Sequence, residues 1–291
     1  MVKAARTPPV ILIGMHRSGT TLLAEALARL GVYMGPDSSS HNEALFFHEL
    51  NVRMLHTSGG SWEYPETIDR FLAVDILQRL QAEFLESWLS SPQTVFYLGL
   101  RRYLQYRSLF NLDFAWGWKD PRNTYTLPCW LDVFPDAKVL YIERHGVDVA
   151  SSLVARYQHQ IDKAVRRHDG RMKKYRFRPK QSHFIDTIRC STLEDGFALW
   201  SAYMERANEN LLRVPESRRM KLRYEDVLDR PKELLGQAAE FCGARFTQDE
   251  LTAMSSQIRK RRASAYRQDP ALLAFAKANE SQLQRWGYSA D

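Results

Sequence analysis

Apolar residues first bunch at Val10–Ile13, four in a row and three of them β-branched, which predicts a buried strand. They then recur at Leu22, Leu23, Ala26, Leu27 and Leu30, the spacing of one helical face, and Gly31 ends the run. The same alternation continues down the chain. Phe71–Leu89 has helical spacing, with Leu77, Leu80, Phe84 and Trp88 on one stripe. Trp116 and Trp118 alternate with small residues, as in a strand, and Thr124–Phe134 reads as a short helix despite Pro128. Lys138–Ile142 is a second buried strand, followed by a helix over Val147–Tyr157. Glu194–Leu212 is a helix with Phe197, Trp200, Tyr203 and Met204 available for packing. Met220–Tyr224 is a strand, and Pro231–Phe241 a helix with proline at its start. Repeated strand–helix units predict an α/β fold, a central parallel sheet with helices on both faces. No internal repeat is visible, and residues 1–291 are read as a single domain.

One stretch breaks the pattern. Residues 160–190 are basic and without period, and are read as an insertion or mobile loop. Within it, 163–180 holds nine Lys or Arg and one acid, so it alone carries +8 of a chain total of +7. The remainder is close to neutral, which argues against a nucleic-acid binder with a basic face. No apolar run approaches a membrane span, and the N-terminal MVKAARTPP lacks a secretory core. The three cysteines, Cys129, Cys190 and Cys242, are far apart and form neither a metal nor a disulfide pattern. A cytoplasmic protein with reduced thiols and no metal is expected.

The chemistry concentrates where strands end. "VILIGMHRSGTTLLAEALARLG", residues 10–31, is strand, glycine-bounded turn and helix N-terminus, a P-loop-type geometry that offers backbone N–H groups to an anion. The nucleotide-triphosphate form of this loop is G-x4-G-K-[ST], but Thr20 stands at the lysine position and Arg17 lies inside the loop. In "VLYIERHGVDVASSLVARY", 139–157, Arg144 follows a strand while Ser152 and Arg156 share a helix face, a set suited to a second anion. The plainer reading pairs Arg144 with Asp148 and leaves Ser152 on the surface. In "WGWKDPRNTYTLP", 116–128, Lys119 ends a strand and is again placed for an anion, or else forms a salt bridge in a surface turn. A P-loop nucleotide kinase or NTPase, or a non-catalytic anion- or nucleotide-binding module, would also use such loops. Against a kinase, the strand KVLYIER ends in Glu143-Arg144 rather than a magnesium-holding Asp.

Taken together these stretches resemble the sulfotransferases that use 3′-phosphoadenosine 5′-phosphosulfate (PAPS), in particular the bacterial and tyrosylprotein branches. "HRSGTT" is similar to their 5′-phosphosulfate loop, "RHGVDVASS" to their 3′-phosphate segment, "KLRYEDVLDRP" to their YEDL…P strand end, and "FAWGWKDPR" to the Lys-Asp-Pro segment. The order also agrees, over roughly residues 9–245. The resemblance implies that Arg17, Ser18, Gly19, Thr20 and Thr21 hold the phosphosulfate. It implies that Arg144, Ser152 and Arg156 hold the 3′-phosphate and that Tyr224 contacts the adenine. Residues 255–291 would fold over the nucleotide, with basic residues from among Arg259–Arg262 reaching it and Arg259 and Arg262 as the candidates. Sulfuryl transfer would be in-line, with Arg17 and Lys119 stabilising the leaving oxygen and no metal required.

The acceptor, a hydroxyl or amine of a small molecule, carbohydrate, lipid or peptide, needs a general base. "MGPDSSSHNEALFFHELN", 34–51, resembles the acceptor-side segment of bacterial members. Glu43 is the first candidate by position relative to the loop, with His48 and Glu49 as rivals. Of the nearby aromatics, Phe47 and Trp62 lie in loop-like sequence and are expected to wall the pocket. Phe46 is available beside them, while Trp88 and Trp116 are expected in the core.

Overall fold

Strand β1 (Val10–Ile13) is wholly buried and pairs on both sides. The computed structural model describes residues 4–36, 44–175, 187–258 and 264–290, the side chains of 171–175 excepted. Along the chain follow α1 (Thr20–Arg29), α2 (Leu45–Thr57), α3 (Ile68–Leu72), α4 (Asp75–Leu89), α5 (Val95–Tyr106), β2 (Gly117–Lys119), α6 (Asn123–Val133) and β3 (Lys138–Glu143). Then come α7 (Gly146–Tyr175), α8 (Leu193–Leu211), β4 (Arg219–Arg223) and α9 (Tyr224–Asp229). The chain ends in α10 (Pro231–Cys242), α11 (Gln248–Ser256), α12 (Pro270–Ala278) and α13 (Glu280–Arg285). Two compact units result, one of Met1–Arg144 with Tyr203–Ala263, the other of His145–Ala202 with Ser264–Asp291.

The first unit holds the sheet. Its order is β2-β1-β3-β4 and every pairing is parallel, with Leu12 opposite both Lys119 and Leu140. Because β1 connects outward to β2 and β3 outward to β4, the chain reverses direction between β1 and β3. Ligands of open α/β sheets bind at the carboxyl ends of strands beside such a point. Alternation decides which side chain faces which layer. Val10, Leu12, Leu140 and Ile142 pack into a cluster with Leu23 and Leu27 of α1 and Leu235 and Ala239 of α10. On the aromatic side, Trp118 stacks on Phe47 with centroids 4.0 Å apart and planes 4° apart.

Helix α6 shows how the fold accommodates Pro128. A proline offers no N–H to the carbonyl four residues earlier, that of Thr124. The buried Asn210 supplies the donor instead, its Nδ2 lying 2.8 Å from Thr124 O.

Two expected helices differ from the sequence reading. Phe71–Leu89 is broken, since Val74 is extended (φ −110°, ψ 99°) and a new helix starts at Asp75. Its inward face is Gln81, Leu85 and Leu89, whereas Leu77 and Leu80 of the expected stripe are exposed. Gln81 occupies an inward position that an apolar-stripe reading assigns to solvent.

In the second unit, α7 continues through Tyr175 where the apolar spacing ended at Tyr157. Alanine, Gln, Arg and Lys are good helix formers without an apolar stripe, so residues 158–175 propagate a helix that hydrophobic period cannot reveal. Residues 176–186 of the basic segment lie outside the described residues. Within this unit Gly196 lets α8 approach α7, since a Cβ there would sit 3.2 Å from Ala150 Cα. The Asp148 carboxylate accepts from Tyr266 N at 2.9 Å.

Candidate active site

The loop after β1 is shaped by residues that leave ordinary backbone space. Gly14 has φ +148° and Gly19 φ +93°, and Arg17 has φ +71° although it carries a side chain. A Cβ on Gly14 would meet Ile142 O at 2.5 Å. Thr124 clamps that glycine at both ends, its Oγ1 accepting from Gly14 N at 3.1 Å and donating to Gly14 O at 3.2 Å. Ser18 N donates to Met15 O at 3.2 Å, which closes the turn. Helix α1 then opens with no acidic residue in its first turn and no side-chain cap. No side chain of the loop caps its leading N–H groups, the end at which a helix presents positive potential to an anion. The buried Ser18 hydroxyl finds no hydrogen-bond partner among the described residues, an expensive state unless a ligand completes it.

Three side chains from neighbouring strand ends converge on this loop. Lys119 closes β2, is only 2% exposed, and places Nζ 3.5 Å from Thr21 Oγ1. Arg144 follows β3, and its Nη1 donates to Arg17 O at 3.3 Å. The same guanidinium lies 4.7 Å over the ring of Tyr224, the residue that follows β4. Tyr224 in turn covers Gly19 so closely that a Cβ there would come within 2.3 Å of the ring. Behind them, the buried Glu143 carboxylate is bound by Lys221 at 2.8 Å and Arg223 at 3.3 Å.

A second polar cluster joins α2 to the turn after β2. The Asp120 carboxylate is fully buried and accepts from Arg122 Nη1 at 3.0 Å, Arg122 N at 2.9 Å and Asn51 Nδ2 at 3.1 Å. Asn51 also receives bonds from Thr126 Oγ1 (2.7 Å) and Trp130 Nε1 (2.9 Å), so every member is held from several sides. His48 Nδ1 stands 3.3 Å from Arg122 Nη1 and 3.8 Å from Asp120 Oδ2. Beside this cluster, a cavity of about 650 Å³ is lined by Phe46, His48, Glu49, Arg53, His56 and Trp88, among others.

Comparison with known proteins decides what this geometry serves. A family model described as the sulfotransferase family matches residues 8–248. The chain belongs to the sulfotransferase family. Its fold is similar to the sulfotransferase domain from the curacin biosynthetic pathway, with a TM-score of 0.55 at 14% identity over 98% of this chain and 99% of that one. A sulfotransferase from Alicyclobacillus acidocaldarius aligns at a TM-score of 0.47 and 16% identity, covering 96% and 95% of the two chains. Among curated proteins none matches in sequence.

The sulfotransferase takes PAPS as co-substrate. The residues fit such a donor: an orphaned buried hydroxyl at Ser18, a glycine cradle that side chains would fill, and cations at Lys119, Arg17 and Arg144. Of the expected donor residues, Arg17 to Thr21, Lys119, Arg144 and Tyr224 come together in the first unit. Lys119 is buried rather than part of a surface turn, because β2 carries it inward beside α1. Ser152 and Arg156 lie one turn apart on α7 in the second unit, both half-buried. Glu43, Arg259 and Arg262 lie outside the described residues.

The aromatic expectations divide. Trp116 is in the core as expected, and Trp62 meets His16 with ring centroids 4.3 Å apart. Phe47 does not wall a pocket: it is fully buried between Trp118 and Tyr97, because the segment expected as loop is helical from Leu45. Trp88, expected in the core, is half-buried and lines the cavity with Phe46. Asn51, Asp120 and Arg122 were not singled out by sequence as a unit. Only their position at one α-helix and one strand end, 69 residues apart, brings them together. Among the described residues no group of His, Cys, Asp or Glu is arranged to hold a metal, and no helix is long and apolar enough to cross a membrane.

Proposed function

We propose that the first unit binds PAPS at the carboxyl ends of β1, β2, β3 and β4, with the 5′-phosphosulfate on the P-loop-type turn Arg17–Thr21. The observation that carries this is Lys119, a buried cation at the first turn of a helix whose N–H groups have no side-chain cap. The donor supplies the sulfuryl group and leaves as adenosine 3′,5′-bisphosphate. Lys119 and Arg17 hold the leaving oxygen as charge builds on it, which is where fixed cations are most effective. Arg144 grips the 3′-phosphate and Tyr224 meets the adenine. Ser152, Arg156, Arg259 and Arg262 are assigned to the donor by sequence resemblance alone.

The acceptor is a hydroxyl or amine of a small molecule, carbohydrate, lipid or peptide. We assign its proton to Glu43, the first candidate by sequence. His48 takes a different role. A guanidinium only donates, and where Arg122 donates to Nδ1 across their 3.3 Å contact the ring carries its proton on Nε2 and donates there. His48 orients an acceptor, and Glu49 stands beside it on the same cavity wall. A cytoplasmic location is supported by the burial of the Cys129, Cys190 and Cys242 side chains outside any disulfide among the described residues.

Differential scanning of the whole chain tests the donor site. Adenosine 3′,5′-bisphosphate should raise the melting temperature, as a ligand of the native state does, and AMP should do so far less. Arg144→Ala should abolish the difference. Equal stabilisation of the parent protein by AMP would remove the 3′-phosphate from this site.

A further inference from the structure

Helix α5 presents an apolar face that is exposed among the described residues. Phe96, Leu100 and Leu104 are 67%, 65% and 52% exposed, while its inward side consists of Tyr97 and Leu98. Single exposed leucines are ordinary, but three large apolar side chains within one short helix are not. The helix is kinked at Gly99, whose φ of +71° and ψ of +161° suit glycine alone and turn Leu100 and Leu104 out on the second half.

The charges around this face are mostly positive. From residue 87 to 112 the sequence contains three arginines, Arg101, Arg102 and Arg107, and no acidic residue. The acid that follows, Asp113, accepts from Tyr106 Oη at 2.8 Å and pairs with Arg6 at 3.4 Å, which leaves the rim net positive. All three arginines are exposed. Arg102 is anchored over the Tyr33 ring at 4.3 Å and Arg107 leans over Tyr103 at 5.5 Å, so their guanidinium groups stay at the edge of the apolar strip. Phenylalanine and leucine projecting from a helix rimmed by arginine is the pattern of a segment lying in a lipid interface, where apolar side chains enter the acyl boundary and cations meet anionic headgroups. An apolar protein partner would explain the leucines but not the net positive rim.

We propose that the face formed by Phe96, Leu100 and Leu104, with Arg101 and Arg107 beside it, docks the enzyme on an anionic lipid surface. This is independent of the donor site and of the basic segment at 163–180.

Co-sedimentation of the full chain with sucrose-loaded vesicles tests it, comparing phosphatidylcholine alone with a 3:1 mixture of phosphatidylcholine and phosphatidylglycerol. The bound fraction should rise at least tenfold with the anionic lipid and fall between 50 and 500 mM NaCl. The variant F96S/L100S/L104S should lose most binding, and R101Q/R107N should lose the preference for anionic lipid. Asparagine is chosen because Arg107 has a left-handed φ of +61° that Asn tolerates. Circular dichroism and melting temperature, unchanged in both variants, exclude unfolding as the cause. Undiminished binding by the serine variant would overturn the proposal and move lipid contact to the basic segment. So would sedimentation equilibrium showing that the same variant converts a dimer into a monomer, since the face would then be covered by a second copy of the chain.

Discussion

Lys119 Nζ lies 3.5 Å from Thr21 Oγ1, tying the end of β2 to the first turn of α1. The contact places a buried ammonium where the helix already offers positive potential. An anion bound between the two would be stabilised by both, and most as negative charge develops on it. Replacing Lys119 with methionine keeps the stem and removes the charge. It should lower kcat by about 10²–10³-fold, the usual loss for one stabilising donor. The KM for PAPS should change much less. Single-turnover rates with saturating donor check this, and a loss confined to KM would make Lys119 a binding residue only.

Gly19 and Tyr224 offer a test of shape rather than charge. An alanine at position 19 would carry a φ of +93° and push a Cβ to 2.3 Å from the tyrosine ring. Strain of this kind costs about 1–3 kcal/mol. Gly19→Ala should weaken binding of adenosine 3′,5′-bisphosphate by tenfold or more and lower the melting temperature. Adding Tyr224→Ala relieves the clash but leaves the backbone strain, so the double variant should recover part of the stability and none of the affinity. Calorimetric titration separates the two readouts.

The polar cluster around Asp120 predicts a stability cost instead. Its carboxylate is fully buried and Arg122 is only 12% exposed, so the pair is held away from water. Asp120→Ala leaves the guanidinium without its counter-charge and strips a partner from Asn51. Breaking such a pair from one side costs about 3–5 kcal/mol. Urea unfolding should show that loss, whereas Glu49→Gln, an exposed change on the same cavity wall, should stay within about 0.5 kcal/mol.

The proposed donor side is legible in the sequence because each of its parts is local. Glycine spacing, a strand end and a following helix sit within a few residues, so Arg17 to Thr21, Lys119, Arg144 and Tyr224 could each be placed before their mutual distances were known. The buried polar cluster between α2 and the turn after β2 is assembled from distant segments and is not legible. Asn51 reaches Asp120, and Asn210 repairs the proline gap in α6 from 86 residues away. Helix α5 escaped because its apolar face points outward and its inward face is two residues, so the stripe that reveals a packed helix is missing. Helix α7 was cut short for a related reason: charged helix formers carry no period.

The proton acceptor can be separated from its neighbour by kinetics. Glu43→Gln preserves shape and removes basicity, and should lower kcat by roughly 10²–10⁴-fold, the usual contribution of general base catalysis. His48→Asn keeps a donor at the ring edge. It should retain kcat within about tenfold while raising acceptor KM, in line with an orienting role. Abolished turnover in His48→Asn with an active Glu43→Gln would reverse the two assignments.

Alkaline pH should destabilise the native state through two cysteines. Burial pushes the Cys129 thiol up to about 12, helped by the nearby negative charge of Asp132. Burial likewise pushes Cys242 up to about 12, with Lys138 opposing it. In the unfolded chain both ionise near 8.5. Below that pH the two states hold the same protons and the thiols leave stability independent of pH. Between about 8.5 and 12 the unfolded chain has lost protons that the native state keeps, so stability falls as pH rises. Each thiol contributes a slope of about 1.4 kcal/mol per pH unit, and both together about 3. Tyr97, Tyr141 and Tyr203, all raised well above their ordinary value by burial, steepen the loss above pH 10. Urea midpoints measured at pH 7, 8, 9 and 10 should be level over the first interval and drop over the last. Cys129→Ala should halve the slope between pH 9 and 10, and adding Cys242→Ala should remove most of what is left. An equally steep fall in the double variant would show that the alkaline limb comes from other groups.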